Sequence, residues 1–110
     1  YLDINDTKSN LAEFKDMTVF NQGFLPDSLE NSQNPTDSVW IHIDLNASKP
    51  TLAALQSFHK GLRPGGVIIF DDYAWNTHED TRKTVDDFFA STNGTNLSLP
   101  TGQAIYFKHG

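Results

Sequence analysis

Cysteine is absent from the 110 residues. That excludes a disulfide framework and a thiolate metal site, and it fits a reducing, cytoplasmic setting. Basic residues are few, eight Lys and Arg against fourteen Asp and Glu, for a net charge of -6. They are scattered, so no basic stripe exists to bind nucleic acid. No apolar run is long enough to span a membrane. The start, Tyr1-Leu-Asp-Ile-Asn-Asp6, has no basic region followed by an apolar core and does not read as a signal peptide. It also lacks an initiator Met and begins as though mid-element, which reads as a fragment or a processed chain. Among seven glycines none forms a Gly-x-Gly, so a Gly-rich cofactor turn is missing. No internal repeat appears. The length suits one domain over residues 1–110.

What is present is concentrated in two short apolar runs that end in acid. Val39 to Ile43 is β-branched and aromatic and is followed by Asp44-Leu-Asn46. Val67 to Phe70 is apolar throughout and is followed by Asp71-Asp72-Tyr73. Both read as strands of a parallel sheet buried on both faces. Between them, Pro50 to Leu62 places Leu52, Leu55, Phe58 or His59, and Leu62 at helical spacing. Arg63-Pro-Gly-Gly66 reads as a tight turn, with Gly supplying a positive φ and Pro64 ending the helix. Strand, helix, strand predicts a right-handed βαβ unit whose strands bring their acids to one carboxyl edge. Asp44, Asp71 and Asp72 are therefore expected to converge. Solvated turn acids are the plainer reading of the same residues.

The flanks are less informative. Asp6 to Lys15 reads as a short helix capped by Asp6 or Thr7, and Met17 to Phe20 as a weak strand. Phe24 to Glu30 reads as a turn into one helical turn. Asn31 to Ser38 reads as a loop. A helix is expected from Glu79 to Ala90, capped by Thr77 or Asp80, with Val85, Phe88 and Phe89 inward. Leu97 to Leu99 and Ala104 to Phe107 read as a final antiparallel pair, joined by a turn at Thr101-Gly-Gln103. His42 reads as a packed strand residue, His59 and His109 as surface residues, and Tyr73 and Trp75 as ligand-stacking or core-covering aromatics. The fold class is α/β, with a mixed, mostly parallel sheet ending in an antiparallel pair.

Several of these segments together resemble one known family. They are His42-Ile-Asp44-Leu-Asn46, Pro50-Thr-Leu-Ala-Ala-Leu55, Leu62-Arg-Pro-Gly-Gly-Val-Ile-Ile-Phe-Asp-Asp-Tyr73, Arg82-Lys-Thr-Val-Asp-Asp-Phe-Phe89 and Leu99-Pro-Thr-Gly-Gln103. In this order and spacing they resemble the macrocin O-methyltransferases, class I S-adenosylmethionine-dependent enzymes acting on sugar hydroxyls. The resemblance runs from about Val19 to Lys108. It implies a partial Rossmann-like methyltransferase fold and an S-adenosylmethionine cofactor. It also implies Mg2+ held by Asp44, Asp71 and Asp72, and a small-molecule or sugar acceptor. Hard oxygen ligands suit such a cation.

Two departures bear on activity. The family's acid two residues beyond the position of Asp44 is read as the general base, and here Asn46 stands there. A carboxamide cannot take a proton at neutral pH, so Asn46 is expected to orient a hydroxyl or act as a neutral ligand. His78 is the candidate base, and His42 a poorer one. The half that binds the cofactor is also missing, so weak or absent S-adenosylmethionine binding is expected of this chain. In the family's strand order, 3-2-1-4-5-7-6, the chain begins after the second strand. A homodimer completing the sheet is one expected consequence, and a non-catalytic binding or dimerisation module is the alternative function.

Overall fold

The computed structural model describes residues 3–73 and 79–110. The chain divides into two compact units, Tyr1–Asn34 and Pro35–Gly110. In the second unit, β1 (Ser38–Ile43) leads to α2 (Ser48–Phe58) and then to β2 (Leu62–Phe70). α3 (Glu79–Phe89), β3 (Gly94–Ser98) and β4 (Ala104–Lys108) follow. The sheet order is β1-β2-β4-β3. β1 and β2 pair in parallel, while β2 with β4 and β3 with β4 pair antiparallel. This is the mixed sheet expected, in the order that the resemblance implies for strands 4-5-7-6. Among the described residues parallel pairing is confined to the β1–β2 ladder, so the sheet is less parallel than expected, because the closing hairpin enters antiparallel beside β2.

The expectation of strands buried on both faces is corrected by a one-sided alternation. Ile43, Phe70 and Ala104 lie in one row across the sheet and Ile68 and Tyr106 in the next, all buried. The opposite row, Trp40, Val67 and Phe107, stays partly or largely exposed, with Trp40 at 63%. Among the described residues of this unit the core lies against one face, so period-two alternation wins over the continuous apolar pattern. α2 buries Thr51, Ala54 and Leu55, and α3 buries Thr81, Val85 and Phe89, the spacing of one helical face. The two helices pack against each other.

The helix expected to run to Leu62 stops at Phe58 and tightens into one 3-10 turn, His59–Gly61. Leu62 belongs to β2 and is buried. Lys108 donates from Nζ to His59 O and Leu62 O, satisfying carbonyls at that helix end. The expected turn at residues 63–66 is a bulge at the start of β2, with Gly65 at φ +83. A Cβ on Gly61 would sit 2.5 Å from Thr36 O, so the chain before β1 approaches this turn closely. Arg63 grips Asp37 through two hydrogen bonds of 2.7 and 2.6 Å. That bond holds the Asp37 carboxyl below its ordinary pKa.

The first unit is built from short turns. α1 (Ile4–Asn10) is capped by Asp3, whose Oδ1 accepts from Asn5 N at 2.8 Å. The expected cap was Asp6 or Thr7, but Asp3 reaches the orphan amide first, so the helix starts earlier. 3-10 helices follow at Ala12–Met17 and Asp27–Asn31. The expected strand over Met17 to Phe20 does not form. Residues 18–20 take no regular structure and pair with no strand, and an isolated β-branched run has no ladder to stabilise it.

Candidate functional site

The two parallel strands end level with each other. Ile43 is the register partner of Phe70. Asp44 follows β1 by one residue, and Asp71 and Asp72 follow β2 by one and two. The Asp71 amide donates to Ile43 O at 3.0 Å, extending the ladder past the strand end. The backbone itself therefore brings the acids to one rim. One carboxylate oxygen from each of Asp44, Asp71 and Asp72 lies within 4.8 Å of the others. Oxygens that share one Mg2+ at about 2.1 Å lie roughly 3 to 4 Å apart. Small side-chain rotations close that gap, and an all-carboxylate donor set matches a hard divalent cation. The residues present thus fit the implied metal.

Neighbouring side chains shape the rim. Asp71 Oδ1 accepts from Gln103 Nε2 at 2.7 Å. His42 Nε2 stands 4.0 Å from the same oxygen, beyond hydrogen-bond reach. His42 is exposed, with a side chain 49% accessible, so the packed-strand reading is corrected: it lies on the uncovered face. Asn46 is exposed on the turn after β1. His78, with Trp75 and Thr77, lies outside the described residues.

Tyr73 is a core residue rather than a ligand platform. It is 5% exposed, donates its hydroxyl to Asp86 Oδ1 on α3, and has Arg82 stacked 5.4 Å from its ring centroid. Burial, then Asp86, raises the Tyr73 pKa, so the phenol keeps its proton and its bond. This anchors the segment leaving Asp72 to α3. The same helix carries the Lys83 to Asp87 pair at 2.7 Å.

Gln103 is the rim residue that sequence reasoning missed, having read it as part of a hairpin turn. The signal was available only through register. Phe70 pairs with Ala104 antiparallel, which sets residue 103 opposite residue 71. His59 was also misplaced at the surface. It sits among Phe88, Phe89 and Tyr106, with ring centroids 5.4 to 6.1 Å away.

A mixed four-stranded sheet whose parallel pair ends in an acidic rim is part of a methyltransferase-like α/β fold. Residues 4–108 match the family described as macrocin-O-methyltransferase (TylF), and the chain belongs to that family. The solved structure of the O-methyltransferase NovP is similar in fold, with a TM-score of 0.75 at 16% identity. The match covers 99% of this chain and 46% of that one, so the chain spans less than half of its length. No curated protein matches. Among the described residues no helix is long and apolar enough to cross a membrane.

Proposed function

We propose that the chain carries the metal and acceptor half of an S-adenosylmethionine-dependent O-methyltransferase acting on a sugar or similar small-molecule hydroxyl. The observation that carries this reading is the meeting of Asp44, Asp71 and Asp72 at one rim in a chain of this family. A divalent cation such as Mg2+, when bound there, lowers the pKa of a hydroxyl it contacts, which makes an alcohol a competent nucleophile.

The chain's own residues do the rest. Asp44, Asp71 and Asp72 supply oxygen ligands and offset the cation's charge. Asn46 orients the hydroxyl by hydrogen bonding and takes no proton. In the transfer, the acceptor oxygen forms a bond to the methyl carbon, and the sulfonium sulfur leaves with the electron pair of its broken bond. The hydroxyl proton goes to a base, for which His78 is the candidate. Methyl-donor contacts come from outside these residues, since the Gly-rich turn that would hold it is not among them.

A calorimetric titration tests this reading. The 110-residue chain should bind Mn2+, with Asp44→Asn and Asp71→Asn each weakening it by about 100-fold or more, beyond a typical outer-shell loss. S-adenosylhomocysteine should bind weakly or not at all. Mn2+ affinity indifferent to both substitutions would remove the metal site. Tight S-adenosylhomocysteine binding would overturn the division of labour.

A further inference from the structure

We propose that Gln103 is a positioning residue for the acidic rim, its carboxamide fixing Asp71 in the orientation that receives a divalent cation. The inference rests on the metal reading above and goes beyond it by assigning a role to the β3–β4 turn.

The bond itself is 2.7 Å, from Gln103 Nε2 to Asp71 Oδ1, between two half-buried side chains. Its polarity is fixed from both ends. A carboxylate only accepts, so the face of the amide turned to Asp71 must be the NH2. On the other side Thr101 Oγ1 lies 3.0 Å from Gln103 Oε1, and there the hydroxyl donates. Thr101 thus holds the amide against flipping, and Gln103 holds the carboxylate against rotating.

The backbone beneath is equally determined. Leu99 N donates to Gln103 O at 2.8 Å and Gly102 N to Leu99 O at 3.1 Å. Gly102 sits at φ +87, a conformation that side chains disfavour. The tight turn, with the antiparallel register of β4 on β2, delivers Gln103 to Asp71 and nowhere else.

The residue type also fits the task. Lys or Arg here would bring a fixed positive charge to the rim and compete with the cation. Glu would add a fourth negative charge and, ionised, could donate no hydrogen. A neutral amide secures one lone pair of Oδ1 and leaves Oδ2 and the full negative charge for the metal. Outer-shell hydrogen bonds of this kind orient ligating carboxylates. His42, at 4.0 Å, makes no such bond.

The test compares the whole chain with Gln103→Leu, which keeps the bulk and removes the donor, and Thr101→Val, which keeps the donor and frees the amide. Mn2+ affinity is measured by calorimetry, and thermal melting is measured in EDTA. Q103L should bind Mn2+ about 10 to 100-fold more weakly, with T101V between it and the unaltered chain. Metal-free melting points should stay close together. Equal Mn2+ affinity in Q103L and the unaltered chain would overturn the inference and leave the metal site standing. A Q103L loss matched by a collapse of metal-free stability would also overturn it, making Gln103 merely structural. No Mn2+ binding by the unaltered chain would take down the metal reading and this inference together.

Discussion

Residues 35–110 and residues 1–34 solve the folding problem in different ways. The first set buries Leu55, Leu62, Ile68, Val85 and Tyr106 to 1% exposure or less. In the second, no described side chain is buried, and Met17 and Phe24 stay 76% and 89% exposed. What orders the shorter unit is hydrogen bonding. Asp3 caps α1. Asn21 and Gln33 bond reciprocally, Nδ2 to carbonyl at 2.9 Å and amide to Oδ1 at 3.2 Å. Net hydrogen bonds contribute about 1 kcal/mol each, whereas burying one large side chain contributes about 2 to 3. The contrast teaches where the stability lies: the acidic rim stands on the unit with the core.

Truncating one large apolar residue in each unit sharpens this contrast most. Leu55→Ala should cost about 2 to 5 kcal/mol, because it leaves a cavity among α2, α3 and the sheet. Phe24→Ala should stay within about 0.5 kcal/mol, as for other exposed positions. Urea unfolding followed by circular dichroism reads both. Comparable losses at the two sites would sink the idea that only one unit carries a core.

The same division explains what could be read from sequence. β1, α2, β2 and α3 were legible because each carries a continuous apolar run or a periodic apolar face, and both strands have a clear stop, Asp44 after Ile43 and Asp71 after Phe70. Asp44, Asp71 and Asp72 were legible as a cluster because parallel strands must end at one edge. Met17 to Phe20 misled because propensity is local, while a strand needs a partner that only the fold supplies. His59 was illegible for a related reason. Its surroundings come from α3 and β4, and no local pattern brings those together. Gln103 required knowing that β4 runs antiparallel to β2 in one particular register.

A pair of glycines gives a finer cut. Gly65 and Gly102 both hold positive φ, +83 and +87. A Cβ on Gly65 meets nothing within 4 Å, so backbone strain is its whole cost. Ala at either position should lower stability by about 1 to 2 kcal/mol. Only Gly102→Ala should also weaken Mn2+ binding, since it alone shapes the turn that aims Gln103. Stability from urea unfolding and affinity from calorimetry separate the two effects. Equal Mn2+ affinities in both variants would detach the turn from the rim.

The smallest expected effect is a dependence on pH within the core unit. Tyr106 donates its hydroxyl to Thr92 Oγ1 at 3.1 Å, and Thr92 donates onward to Phe89 O at 2.8 Å. With its single proton committed, Tyr106 accepts from His59 Nε2, 3.1 Å away, which fixes the neutral tautomer with hydrogen on Nε2. Partial burial, then the charge of Lys108, lowers the His59 pKa below 6.5. Above that value His59 is neutral whether the chain is folded or not, and it adds no pH dependence. As pH falls below 6.5 the unfolded chain takes up the proton first, so stability declines until pH passes the folded value and the loss levels off. Gln at position 59 keeps a donor toward Tyr106 but cannot titrate. Urea unfolding of H59Q between pH 7.5 and 5 should therefore show a shallower decline than the unaltered chain. Parallel curves would mean that water reaches His59 freely enough to cancel its desolvation. The core unit would then be looser at its α3 and β4 end than the Tyr106 and Phe89 rings, stacked 3.8 Å apart, suggest.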